Sequence, residues 1–462
     1  LSTEREVLVV GGGPTGSIVA TMLARSGHQV LLVCEERREG GLPVETVVPG
    51  AITTLERLGL TCAVGECAIP GPARHGRCWS SSALDIEDLD DSHRGWRFLR
   101  PALDRWLRAR ARESGVEVMQ ATRATGPLPM TGCGEVKLEQ AGRPITIETG
   151  LVIAATGRAS GSPLLPVEVV DRLPDMIAIS TVVAGEPADA DASVVEAVAE
   201  GWIWWLPFAD GRSSLALFCD PAEVRDRGRD EVWTSALRAA VGPAASVESA
   251  QLRGTLATAR LHRATGNLLL AGDAISAIDP LSSQGLEKAL VSAESTALAA
   301  RTVLIGASDL ATMVETRGRW ERRLFRMHRQ RALDLYRSEG RFTEHPFWSA
   351  RHRLLETDSP ESSAPTGRLT PASDLLQSPR WVPDGDRLVA RDGLRLSSSD
   401  EESIDQIGSI PTRVLMELVG DGIEMRNLHQ RVADVPYFID QSPAHLRKIL
   451  QEMCRLGLLV ES

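Results

Sequence analysis

The stretch Glu6-Val-Leu-Val-Val-Gly-Gly-Gly-Pro-Thr-Gly16 constrains the fold more than any other part of the chain. Its apolar run reads as a strand buried on both faces, as in the interior of a parallel sheet. The run ends directly in Gly11, Gly13 and Gly16, spaced G-x-G-x-x-G. In that spacing the first glycine makes a tight turn and the second lets backbone approach a pyrophosphate. The third lets the following helix pack closely on the strand. Ser17 to Ser26 then carry helical spacing through Ile18, Val19, Met22 and Leu23 and stop at Gly27, while Pro14 and Thr15 within the glycine turn are candidate nucleotide contacts.

A second strand, Gln29 to Cys34, ends in Glu35-Glu36. Strand, glycine turn, helix, glycine stop, strand and acid in this order predict a dinucleotide-binding unit, with both dinucleotide types open at this point. The carboxylate that holds the adenosine ribose in such units falls on Cys34, one residue early, so Glu35 and Glu36 are the candidates for that contact. Leu151-Val-Ile-Ala-Ala-Thr-Gly157 reads as another buried strand returning to the same nucleotide, with Gly157 at its end. A further strand, Leu268 to Ala271, runs into Gly272-Asp273 and a loop that feeds a helix from about Leu286 to Ala300. A carboxylate just past a strand-end glycine, followed by the N–H groups of a helix start, suits a sugar or phosphoryl ligand.

Length and charge limit what surrounds this unit. A chain of 462 residues exceeds what one core usually supports, so two or three domains are expected. A net charge of -11 argues against a nucleic-acid or anionic-membrane binder. No apolar run reaches the ~18 residues of a membrane span. The seven cysteines are scattered without a C-x-x-C pair, which predicts no metal site and reduced thiols in a cytoplasmic protein.

The expected architecture is α/β: a Rossmann-like dinucleotide domain split over residues 1–165 and 261–340, with an inserted, mostly antiparallel β substrate domain at 166–260. Residues 61–95 read as a loop-heavy insertion, and the arginine row from Arg317 to Arg331 as a solvated helical face. Residues 341–385, rich in Ser, Pro and Thr from Thr357 on, read as a linker. Residues 386–462 form a small C-terminal domain, with a hairpin turning at Asp392-Gly393 and helices at Pro411–Val419, Met425–Val432 and Ser442–Leu456. That order resembles a winged helix; its acidic residues favour docking of a peptide or protein over DNA. In the β domain, Gly201-Trp-Ile-Trp-Trp-Leu-Pro207 puts Trp202 and Trp204 on one strand face and Trp205 on the other. Aromatic core and substrate-facing wall are equally weighted readings of them.

Three segments together resemble the FAD-dependent monooxygenases and flavin-dependent halogenases: Gly11 to Gly16, Arg100-Pro-Ala-Leu-Asp104, and Gly272-Asp273 with Asp279-Pro280 and Gly285. The resemblance implies FAD as cofactor, with Arg100 near its pyrophosphate and Asp273 on its ribityl and pyrophosphate region. It also implies that the loop Pro280 to Leu286, including Gln284 and Gly285, presents backbone amides to the flavin ring; Thr46 lies in a further segment of the motif. The segment around Glu45-Thr46 and the tryptophan strand resemble tryptophan halogenases, yet their lysine position falls on Leu42 and no lysine precedes Lys137.

Combined with Asp279-Pro-Leu-Ser-Ser-Gln-Gly-Leu286, these features look closest to flavoproteins that mature tryptophylquinone cofactors. That resemblance implies a C4a-hydroperoxyflavin that delivers oxygen to a tryptophan in a small protein or peptide, with Trp202, Trp204 and Pro280 lining the reaction site. A crosslinking maturation enzyme is a further implied partner. A halogenase or a small-molecule aromatic hydroxylase is the alternative. Without a second G-x-G-x-x-G, the reductant is external, either NAD(P)H or a reduced-flavin reductase, with O2 as co-substrate. His93 and His262 are candidate proton handlers, against an ordinary hydrogen-bonded role for each.

Overall fold

A computed structural model describes residues 4–35, 44–47, 49–60, 67–90, 94–158, 164–184, 192–208, 211–240, 252–354, 367–399, 403–407, 410–428 and 443–461. The chain divides into two compact units, Leu1–Thr357 and Asp358–Ser462.

The first unit is built on the strand Glu4–Val10, whose residues Val7 to Val10 are sealed from solvent. It pairs in parallel with Val30–Val33 on one side and Arg143–Ala154 on the other, in registers such as Val7 with Val30 and Val7 with Leu151. Glu117–Met119 extends the sheet beyond Val30–Val33, and Leu269–Leu270 pairs in parallel with the far end of Arg143–Ala154. In chain order these parallel strands run third, second, first, fourth and fifth, the order of a dinucleotide-binding sheet. Helices Pro14–Arg25, Arg100–Glu113 and Gly285–Leu304 cover one face through Ile18, Leu103, Leu107 and Leu290. The other face, with Leu8, Val10 and Val152, packs on Val136, Leu138 and Leu268.

The second layer is a seven-stranded sheet. Arg253–Leu256, Ile177–Ala184, Arg212–Cys219, Gly201–Pro207 and Ala192–Val198 pair antiparallel, as expected for the β domain. It does not stop there. Arg74–Cys78 pairs in parallel with Ala192–Val198, and Asp85–Asp88 continues the sheet, so part of the loop-heavy stretch 61–95 is its edge. These two strands escape sequence reading because Asp85–Asp88 buries no side chain fully and Arg74–Cys78 only two residues, which leaves no apolar alternation.

Both faces of this sheet are covered. Trp202, Trp204 and Leu206 join Phe218, Tyr336, Phe347 and Trp348 on one side, while Ile203 and Trp205 join Val232, Trp233 and Leu237 on the other. The long helix Leu310–Arg337 closes the first side. Its arginine row is not uniformly solvated: Arg317 is buried and paired with Glu321 one turn on, whereas Arg319 pairs at the surface with Glu315.

The described residues of the expected linker 341–385 carry regular elements. Pro346–His352 is a helix whose Trp348 is fully buried and donates to the Val198 carbonyl at 2.8 Å. Arg368–Pro371 is the central strand of a three-stranded sheet in the second unit, between Ile423–Glu424 and Leu459–Glu461. There the helices Thr412–Val419 and Pro443–Arg455 share a core of Leu369, Leu415, Leu418, Leu446 and Leu450. The hairpin is Arg380–Asp384 with Arg387–Arg391, turning at Gly385 in the left-handed region (φ +61°) and not at Asp392-Gly393. Leu394–Leu396 instead pairs with Leu375–Gln377. The expected helix from Met425 is a single 3-10 turn, Met425–Asn427, and its continuation past Leu428 lies outside the described residues.

Because Trp348 is core and not linker, Trp348→Ala should destabilise the chain by about 3–5 kcal/mol. Urea unfolding checks this, and a loss under about 1 kcal/mol would return the segment to a linker role.

Candidate active site

The glycine turn shows why no larger residue fits. Gly11 has φ +118°, and a Cβ there would overlap the Ala155 carbonyl; a Cβ on Gly16 would overlap the Gly11 carbonyl. Gly13, by contrast, caps the helix Pro14–Arg25 in extended conformation with no atom near its missing side chain. Gly157 (φ +66°) and Gly285 face open space in the same way. Bare backbone beside open space at three motif glycines fits a ligand that lies against the main chain. Thr156, between Ala155 and Gly157, buries a hydroxyl with no protein partner in that cradle.

Cys34, not Glu35, stands against this turn. A Cβ on Gly12 would overlap the Cys34 side chain, and burial raises the Cys34 thiol pKa against the pull of Arg108 and Arg112. Glu35 is exposed one residue further on, and Glu36 lies outside the described residues, as do Leu42 and His93. Arg108, absent from the sequence reading, donates to the Gly12 carbonyl at 2.9 Å. Only its helical spacing from Arg100, two turns earlier, could have drawn attention to it.

The second grip follows strand Leu269–Leu270. Gly272 has φ +62°, and a Cβ there would collide with the Thr15 hydroxyl, so the two motifs are in direct contact. Asp273 accepts from Arg158 Nε at 3.1 Å, another residue the sequence reading passed over although it adjoins Gly157. Arg100, at the start of its helix, pairs with Glu45 and reaches Asp104 at 3.4 Å. Burial opposes its charge, but Glu45, Asp104 and the Asp273 carboxylate overcome that and hold its pKa above the usual guanidinium value. Its Nε is buried without a protein partner. A cation held between two motifs, with an unused donor, suits an anionic ligand. Thr46, next to Glu45, is half-buried opposite Arg97.

The loop after Ser276–Ala277 is anchored by Asp279. Its buried carboxylate accepts from the Leu281 N–H at 3.0 Å and from the Tyr336 hydroxyl at 3.1 and 3.2 Å. Burial raises the Asp279 pKa against the pull of Leu281, Arg351 and Tyr336; burial and the Asp279 charge raise that of Tyr336. Pro280 therefore sits on a fixed 3-10 turn, Pro280–Ser282, followed by Ser283 in the left-handed region. Gln284 accepts from Arg331 at 3.3 Å, Gly285 begins the helix, and Leu286 is buried. Trp202 lies in the same core as Tyr336, stacked on Phe218 with centroids 3.8 Å apart, and Trp204 donates to Ser193 at 3.1 Å. Both tryptophans are packed core that backs the loop.

Burial pushes both His262 and His328 below the ordinary imidazole value. His262 is buried, and desolvation lowers its pKa. Burial, then Arg331 and Lys288, lower that of His328 from 6.5 to about 4. The unfolded chain thus takes up this proton first as pH falls, and stability is lost from the ordinary value down through about 4. In His328→Gln that component disappears, so the variant should lose less stability than the parent between about pH 7 and about pH 4.5 in urea unfolding.

Among the described residues no group of three His, Cys, Asp or Glu could hold a metal, and no helix is long and apolar enough to cross a membrane. The family model described as FAD binding domain matches residues 4–306. A digeranylgeranylglycerophospholipid reductase of Methanoculleus marisnigri is 25% identical over 307 residues, 63% of this chain and 75% of that protein. In fold, the chain matches QhpG, a peptidyl tryptophan dihydroxylase essential for tryptophylquinone cofactor biogenesis. That likeness has a TM-score of 0.73 and 22% identity over 98% of this chain and 100% of the other. CmlS, a flavin-dependent halogenase, matches with TM-score 0.73 and 18% identity over 100% and 96%. The paired glycine motifs, the unused donors of Arg100 and Thr156 and the match across residues 4–306 lead to one conclusion: the chain belongs to the FAD-binding-domain family and is a flavoprotein oxidoreductase.

Proposed function

We propose that this flavoprotein is a monooxygenase that hydroxylates a tryptophan of a small protein or peptide, as a step in making a tryptophylquinone cofactor. The observation that carries the reading is the fold likeness to QhpG over 98% of this chain, which takes in the C-terminal unit. A platform of that kind suits a protein substrate better than a free small molecule. The chain also lacks any lysine before Lys137, so the Glu45-Thr46 segment offers no amine to hold hypohalous acid, which disfavours halogenation.

When bound, FAD supplies the electrons that activate dioxygen. The protein's part is positioning. Gly13 and the first N–H groups of Pro14–Arg25 would hold the pyrophosphate, with Arg100 and Asp273 securing the ligand between the two motifs. The Asp279–Tyr336 pair fixes the turn at Pro280 and keeps its proton out of solvent. The packed layer of Trp202, Phe218 and Phe325 excludes water from behind the loop. One oxygen atom enters the indole ring; the other leaves as water, with two electrons from an external NAD(P)H or a reductase. The enzyme works in the cytoplasm, where Cys34, Cys67, Cys78 and Cys219 remain thiols, beside a crosslinking enzyme that acts on the same substrate.

Incubation with isotopically heavy dioxygen, a reductant and a tryptophan-bearing substrate protein should place one or two heavy oxygen atoms on the tryptophan, read by mass spectrometry. Label-free product, or a halogen in place of oxygen, would sink the reading. Independently, Gly11→Ala should weaken FAD binding by at least about tenfold in a fluorescence titration, because its Cβ has no room against Ala155.

A further inference from the structure

Behind the Gly272–Asp273 turn lies a polar cluster that takes no part in the chemistry above. Lys288 and Ser292 stand one turn apart on Gly285–Leu304; Arg317 and Glu321 stand one turn apart on Leu310–Arg337. All four are sealed, none more than 3% exposed. Glu321 accepts from Arg317 at 2.6 Å and from the Ser292 hydroxyl at 2.6 Å, and its other oxygen lies 3.1 Å from the Lys288 ammonium. Both lone pairs of Ser292 are used, by Arg317 at 3.1 Å and by the Gly272 N–H at 2.9 Å. Lys288 donates to the Gly272 carbonyl at 2.9 Å and to the Ser276 carbonyl. Both backbone polar groups of Gly272 are therefore held by this one network.

Such a cluster is a poor way to stabilise a core. Apolar side chains of the same volume usually do as well or better, because desolvation of the ions offsets their attraction. The cluster also carries two cations to one anion, an excess positive charge sealed inside the protein. Its contacts end on the turn that bears Asp273 and flank it again at Ser276. Gly272 needs such support, since its left-handed backbone and its contact with Thr15 leave one arrangement for the turn.

We propose that Lys288, Ser292, Arg317 and Glu321 form a buried clamp that positions the Gly272–Asp273 turn for FAD, with Lys288 and Glu321 as positioning residues for the cofactor. The excess positive charge faces the same turn and favours the anionic FAD. This inference rests on FAD binding alone and stands whether or not tryptophan is the substrate.

The test uses the full chain, stripped of FAD and titrated back, with FAD dissociation constant, flavin midpoint potential and apo-protein thermal unfolding read for each variant. Ser292→Ala and Lys288→Met should weaken FAD by at least about tenfold and shift the potential. The paired variant Lys288→Met with Glu321→Gln removes one charge of each sign and leaves Arg317 a neutral acceptor. It returns the cluster to its parent net charge but leaves the Arg317 cation without a counter-ion, so its apo-protein should be no more stable than Lys288→Met, and its FAD affinity should stay below the parent because the Lys288 contacts to Gly272 and Ser276 are still missing. If Lys288→Met does not fold, Ser292→Ala, which keeps every charge in place, decides. FAD affinity within about twofold of the parent together with an unshifted potential in Ser292→Ala, and in Lys288→Met where it folds, would overturn the clamp whatever their thermal stability and leave the cluster as core support.

Discussion

The site depends on main chain approaching its neighbours so closely that no side chain can stand between them. Gly16 packs on the Gly11 carbonyl, Gly11 on the Ala155 carbonyl, and Gly272 on the Thr15 hydroxyl. Those contacts bring the ends of three strands, Glu4–Val10, Arg143–Ala154 and Leu269–Leu270, to one place. The sheet registers enforce this, since Val10 sits beside Ala154, and Ala154 beside Leu270. A methyl group at Gly11 would push two strand ends apart, and one at Gly16 or Gly272 would push the helix Pro14–Arg25 away from them, by more than the packed core can absorb.

The parts of the fold that could be read beforehand are those where one residue type has one physical use. Buried apolar runs such as Val7 to Val10 and Leu151 to Ala154 announce parallel strands, and glycines at fixed spacing announce the turn. The edge strands Arg74–Cys78 and Asp85–Asp88 gave no such signal, because half-exposed strands tolerate almost any side chain. Turn placement failed for a related reason. Asp392-Gly393 and Asp384-Gly385 carry the same residue pair, and only the pairing of Trp381 with Ala390 decides between them.

Charge was the least legible property. Arg317 and Arg319 are two residues apart in one arginine-rich helix, yet one is sealed and the other meets Glu315 at the surface. The distinction comes from which helical face turns toward Ser292 and Lys288 on the neighbouring helix, and that is a tertiary fact. Likewise Arg108 and Arg158 become site residues only because the fold carries them to Gly12 and Asp273. Cys34 is the converse case: the missing acid was visible, and the exposure of Glu35 follows from where the strand Val30–Val33 stops.

The parallel pairing of Arg74–Cys78 with Ala192–Val198 has a consequence for modular exchange. The two layers of the first unit are woven together: the β layer borrows two strands from the dinucleotide half of the chain, and the dinucleotide sheet takes Leu269–Leu270 from beyond the β layer. A recombinant that swaps residues 166–260 for those of a relative would leave the host's Arg74–Cys78 pairing with a foreign Ala192–Val198 equivalent. Natural shuffling of substrate specificity on this scaffold is therefore constrained to crossovers that carry residues 74–88 along with the inserted sheet, or to point changes on strands already in place.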